Sequence, residues 1–175
     1  TSDAQSAEDA RSLTDVARDA MIHLKALVAS ALPDPGSDEL ETTAHVILTC
    51  RAMLRGRDIS LDATVPEGID DVLSRRQRVV LALVVREGAT NVFKYARAGT
   101  RAFLTVSLPD QDGVLVRLIN DIDPASDQAR ATVRGGFGLE SLTTEVAREG
   151  GAVNYGSRGA TWLLEAEIPG AASDQ

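Results

Sequence analysis

The longest run of helical periodicity in the sequence falls between residues 71 and 96. Leu73, Val80, Leu81, Val84, Val85, Ala89, Val92 and Phe93 fit a helix buried on a wide face. A helix that apolar needs another layer to cover it, and the neighbouring segments read as strands. Residues 59–65 alternate, with Ile59, Leu61, Ala63 and Val65 on one side. Residues 103–108 and 114–119 read as two strands joined through a turn at Asp110-Gln111-Asp112-Gly113. Residues 152–155 and 161–168 read as a closing hairpin through Gly156-Ser157-Arg158-Gly159.

Helices fill the remainder. Residues 6–32 carry a stripe of Leu13, Val16, Ala17, Ala20, Met21, Leu24, Leu27 and Val28, ended by Pro33 and Pro35-Gly36. A second helix is expected over 39–55, with Ser37 or Asp38 as its N-cap. A third covers 137–148 and stops at Gly150-Gly151. Residues 121–136, rich in Asp, Pro, Ser, Arg and Gly, read as a loop, and the end of the chain as a polar tail. Antiparallel strand runs with helices between them predict an α+β two-layer sandwich: a mixed, mostly antiparallel sheet with helices on one face.

Composition narrows the function. With 18 Lys and Arg against 26 Asp and Glu, the net charge of -8 argues against a general nucleic-acid binder. A single cysteine, Cys50, excludes an internal disulfide and a Cys-based zinc cluster. His23 and His45, the two histidines, leave little scope for a His-rich metal site. No apolar run reaches the roughly 18–20 residues that span a membrane. The sequence opens without Met and shows no signal peptide, so the expectation is a cytoplasmic piece of something longer.

Three places can carry chemistry. On the long helix, Glu87 and Asn91 are four residues apart and Lys94 three further on, so carboxylate, amide and ammonium share a face. That trio suits a hydrated Mg²⁺ with phosphate oxygens, and Glu87 can orient or deprotonate a hydroxyl or water. It is equally a solvated polar stripe. Ile119-Asn120-Asp121 ends a strand, where an Asp can accept from an exocyclic amine such as that of adenine; a turn-initiating Asn-Asp pair reads the same way. Gly135-Gly136-Phe137-Gly138-Leu139 runs into a helix, whose free N–H groups suit phosphate, or it is an ordinary glycine-rich helix entry.

The order of these segments resembles a known family. From Glu39 to Pro169 the chain is similar to the catalytic, ATP-binding domain of sensor histidine kinases, in the GHKL ATPase superfamily, and within it to the DesK/NarX-like subfamily. Arg86-Glu87-Gly88-Ala89-Thr90-Asn91-Val92-Phe93-Lys94-Tyr95-Ala96 resembles the family's asparagine box, Asn120-Asp121 the start of its first glycine box, and Gly136-Phe137-Gly138-Leu139 its second. Leu142, Val146, Gly150-Gly151 and the closing Ile168-Pro169 also match. The resemblance implies a Bergerat-type fold, ATP and Mg²⁺ as cofactors, and these roles. Glu87 is the catalytic carboxylate that helps activate the reaction, Asn91 the Mg²⁺ ligand, Lys94 a phosphate neighbour and Asp121 the adenine reader. Gly136, Gly138 and Leu139 lie at the nucleotide, with 123–135 as the ATP lid.

Upstream, residues 1–36 resemble the second helix and linker of a dimerisation hairpin, followed by the catalytic domain over 37–170 and a tail over 171–175. Homodimerisation through that helix and a response regulator of LuxR/NarL type are the implied partners. The phosphoryl group would pass to a His on a missing upstream helix. His23 is followed by Leu24-Lys25 and does not match the phosphoacceptor motif. The chain departs from the family at Ile122 and Pro124, which stand in the places of two glycines, and at Gly88, Tyr95 and Glu145. These departures motivate an alternative expectation, a degenerate nucleotide-binding or scaffold domain without kinase activity.

Overall fold

The computed structural model describes residues 40–109, 113–122 and 137–170. The helix expected over 6–32 with His23, most of the turn at 110–113, residues 123–136 with Pro124 and Gly136, and the tail lie outside the described residues. The chain divides into Thr1–Glu41 and Thr42–Gln175. All the described helices and strands belong to the second unit.

The elements of this unit are α1 (Thr43–Arg55), β1 (Ser60–Thr64), α2 (Ile69–Val72), α3 (Arg75–Tyr95), β2 (Arg101–Ser107), β3 (Val114–Asp121), α4 (Phe137–Arg148), β4 (Ala152–Arg158) and β5 (Thr161–Ile168). The five strands form one sheet in the order β1-β2-β3-β5-β4. β1 lies parallel to β2, and every other neighbouring pair is antiparallel. The expected two-layer architecture is present. Side chains alternate along each central strand: Ala102, Leu104 and Val106 of β2, and Val114, Val116 and Leu118 of β3, are buried. The alternate positions Phe103, Arg117 and Ile119 are exposed. α3 packs on β3 and β5 and is flanked by α1 and α4. Leu81, Val84, Val92, Leu104, Leu139, Leu164 and Trp162 meet in the resulting core.

Local chemistry sets the boundaries, and several differ from the sequence expectation. α1 begins at Thr43, because Thr42 is the cap whose hydroxyl accepts from His45 N at 3.3 Å. Thr43 donates its N–H and its hydroxyl to Asp70 of α2, at 3.0 and 2.6 Å. The single helix expected over 71–96 is interrupted. Leu73 is extended, and Ser74 opens α3 with a capping box in which Gln77 reaches back to the Ser74 N–H. The signal is present in the sequence as Ser74-Arg75-Arg76-Gln77. Gln77 also donates to Pro169 O, at 3.3 Å, tying the start of α3 to the end of β5.

The last hairpin is longer than expected: β4 runs to Arg158 and the chain turns at Gly159-Ala160. β3 likewise reaches Asp121, and Ile122 N continues the ladder by donating to Ala160 O at 2.7 Å. α4 stops where the glycine pair predicts. Gly150 takes φ 78. Its N–H donates to Ala147 O and that of Gly151 to Val146 O, which satisfies the last carbonyls of the helix.

Candidate functional site

α3 carries Glu87 and Asn91 one turn apart, Glu87 partly buried and Asn91 fully so. Asn91 is buried, at 4% exposure. Its Nδ2 donates to Glu87 O at 2.7 Å and to Glu87 Oε1 at 2.9 Å. Both amide hydrogens are thereby engaged, so the acceptor Oδ1 remains for a ligand. The pair is not a freely solvated stripe: the carboxylate orients the amide.

The start of α4 faces the same carboxylate. A Cβ on Gly138 would run into Glu87 Oε1 and Cδ. The absence of a side chain there lets the first turn of α4, whose N–H groups have no partner within the helix and whose dipole end is positive, lie against Glu87. Glu87, Asn91 and Gly138 are therefore brought together. Leu139, beside them in sequence, is 1% exposed and points into the core, where it anchors α4.

Lys94 sits half-buried in the last turn of α3, three residues beyond Asn91. That turn is held from outside. Arg57 Nη1 donates to the Phe93 carbonyl and, at 3.3 Å, to Lys94 O, while its guanidinium lies 5.6 Å from the centre of the Phe93 ring. A cation at a helix C-terminus satisfies both the orphan carbonyls and the dipole.

Gly88 explains how the helix comes so close to the sheet. A Cβ there would lie 2.7 Å from Leu118 Cδ2 and 2.9 Å from Leu164 Cδ2. Leu118 and Leu164 are register partners on β3 and β5. With Gln77 at Pro169 and Gly88 over Leu118 and Leu164, α3 runs in the same sense as β3. Its next turn, bearing Asn91, continues toward the next inward pair, Asn120 and Trp162.

That pair fixes the phase of the strand end. Burial along β3 alternates strictly: Asn120 is 2% exposed on the helix-covered face, whereas Asp121 is exposed. Because the strand period is two, neighbours cannot both face the helices. Asp121 is thus not brought to the Glu87–Asn91 pair, and Asn120 is on its side of the sheet. Ile122, the next inward position, is also buried.

No family model matches the sequence, and no curated protein matches it. Solved structures match the fold. The catalytic domain of histidine kinase ThkA is 17% identical with a TM-score of 0.55, over 73% of this chain and 88% of that one. The histidine kinase domain of a blue-light activated kinase from Erythrobacter litoralis is 19% identical, TM-score 0.53, over 72% and 59% of the two chains. Full-length ShkA in complex with AMPPNP is 21% identical, TM-score 0.58, over 74% and 29%.

The fold is that of a histidine kinase catalytic domain.

Within this histidine kinase fold, two inward residues are given no role by the motifs. Asn120 is overshadowed in sequence by the more reactive Asp121, although counting alternate residues back from Ile122 finds it. Trp162, the largest fully buried side chain, belongs to no motif. Among the described residues no helix is long and apolar enough to cross a membrane. Nor does any cluster of three His, Cys, Asp or Glu among them offer a metal site. A nucleotide-bound Mg²⁺ does not require one, since it keeps several waters and takes one or two protein oxygens.

Proposed function

We propose that this chain is the ATP-binding catalytic part of a sensor histidine kinase, of the DesK/NarX-like kind, that transfers the ATP γ-phosphoryl group to a His on an upstream dimerisation helix. The observation that carries the reading is the Glu87–Asn91 pair facing Gly138 at the start of α4. Asn91 Oδ1 would be the protein ligand of Mg²⁺, and the ion would neutralise the charge of the phosphate oxygens. Glu87 holds the amide in place and can accept the proton of a nucleophile beside it. The N–H groups at the start of α4 would receive phosphate oxygens, and Lys94 adds positive charge at the end of α3. Asn120 takes the strand-end role expected of Asp121. A response regulator of LuxR/NarL type as the second acceptor, and homodimerisation through residues 1–36, complete the proposal.

Calorimetric titration with a non-hydrolysable ATP analogue tests it. The expected result is micromolar binding that requires Mg²⁺ and is lost in Asn91→Ala, with thermal unfolding showing that the variant is folded. Absence of binding at millimolar nucleotide would overturn the proposal.

A second reading is favoured by Ile122, which is 5% exposed at the end of β3. A branched side chain packed there narrows the space beside Asn120, as in a scaffold domain that binds nucleotide weakly or not at all. That reading expects Ile122→Gly to raise nucleotide affinity by tenfold or more; unchanged affinity would remove its basis.

A further inference from the structure

Asn120 and Trp162 are directly opposed in the β3–β5 register and share the helix-covered face, at 2% and 1% exposure. Asn120 Oδ1 and Trp162 Nε1 are both buried without a hydrogen-bond partner. The first can only accept and the second can only donate. Asn120 Nδ2 already donates to Asp121 O at 3.2 Å, which leaves the oxygen as the open end of the amide. Side chains opposed across an antiparallel pair begin about 4.5–5.5 Å apart, within reach of one planar neighbour. Buried polar atoms are rarely left unpaired, and here one acceptor and one donor belong to directly opposed residues on the sheet face that α3 covers.

We propose that Trp162 determines base specificity: its indole N–H and the Asn120 amide oxygen together read the 6-position and N1 of a purine, a 6-aminopurine in preference to a 6-oxopurine. The proposal rests on the nucleotide-binding reading above and adds to it a residue and a discrimination. The amine donates to Asn120 Oδ1, and the ring nitrogen accepts from Trp162 Nε1. At that edge a 6-oxopurine inverts the pattern, setting its carbonyl against the amide oxygen and its N1–H against the indole N–H. Both protein groups would then stay unpaired in a buried site, and such mismatches discriminate more strongly than shape. Both atoms are closed to solvent in this structure. A base therefore reaches them by parting the side chains that cover them, and pairing the two orphaned groups offsets that opening.

The test uses the whole chain, in which Trp162 is the only tryptophan, so indole emission reports on this residue alone. Non-hydrolysable ATP and GTP analogues are titrated with Mg²⁺ and followed by calorimetry and by fluorescence. The expected results are a preference for the adenine nucleotide of tenfold or more and a change in Trp162 emission as it binds. Trp162→Phe, which keeps an aromatic ring and drops the N–H, should reduce that preference by roughly tenfold, about the effect of one hydrogen bond. Asn120→Asp, which keeps an acceptor, should retain it. Deaza analogues of ATP, with one ring nitrogen beside the amine replaced by C–H, repeat the test on the unaltered chain; one of them should bind roughly tenfold more weakly. If both nucleotides bind equally, or if neither Trp162→Phe nor a deaza analogue changes the affinity, the specificity proposal is overturned while nucleotide binding stands. If neither nucleotide binds the folded chain, the specificity proposal and the reading it rests on fail together.

Discussion

Two glycines on facing helices have opposite jobs. Gly138 leaves room for a carboxylate, and Gly88 leaves room for the sheet. Adding a methyl group to each should therefore have different effects. Gly138→Ala places its Cβ on the Glu87 carboxylate, which must turn away and release Asn91 Nδ2. Nucleotide affinity should fall tenfold or more, with the melting temperature lowered by only a few degrees; calorimetry and thermal unfolding on one sample separate the two. Gly88→Ala gains about 1 kcal/mol of helix propensity. It also forces Leu118 and Leu164 apart, and overpacking of that kind costs roughly 1–3 kcal/mol. The expected outcome is a net loss of about 1–2 kcal/mol in urea unfolding, and a stabilised variant would contradict the close approach. At this scale the sequence is legible where spacing decides, as for Glu87 and Asn91. It is not legible for Gly88, whose cause is a pair of leucines 30 and 76 positions away. Nor is the phase of the strand end legible, since the reactivity of the Asp121 carboxylate says nothing about which face it takes.

Among the elements, α3 does most to fix the site, and both its ends are secured by side chains rather than by propensity. Ser74 and Gln77 close the first turn. Arg57 closes the last. Ser74→Ala removes the cap and leaves the Gln77 N–H without its partner, which should lower stability by about 1 kcal/mol. Measured by denaturant midpoint, a loss below a few tenths of a kcal/mol would mean that Gln77 and Pro169 hold the end of α3 unaided. Period alone places strands and helices to within a few residues, because each buries one face. The break at Leu73-Ser74 is hidden because the apolar period runs on through it from α2 into α3. The last hairpin reads too short because Gly156 and Ser157 resemble a turn in sequence, whereas Gly156 is extended at φ 158 and pairs with Leu163.

For the molecule as a whole, the sheet order β1-β2-β3-β5-β4 mixes near and distant partners. β2 with β3 and β4 with β5 are hairpins of adjacent segments. β3 meets β5 only after α4 and β4 have intervened, and β1 meets β2 only across α2 and α3. The two-layer architecture is readable because α+β order leaves few ways to cover one apolar sheet face. Which pair is parallel is not, since nothing in the composition of residues 59–65 distinguishes a parallel neighbour from an antiparallel one. That edge has a kinetic corollary. Closing a loop of roughly 40 residues costs chain entropy before any contact repays it, so β1 should dock after both hairpins and leave before them. Amide hydrogen exchange should report this as lower protection in β1 than in β3 and β5, whose neighbours enclose them on both sides. The fold would thus form its two hairpins first and join them, at β3 with β5 and at the β1 edge, across loops of similar length.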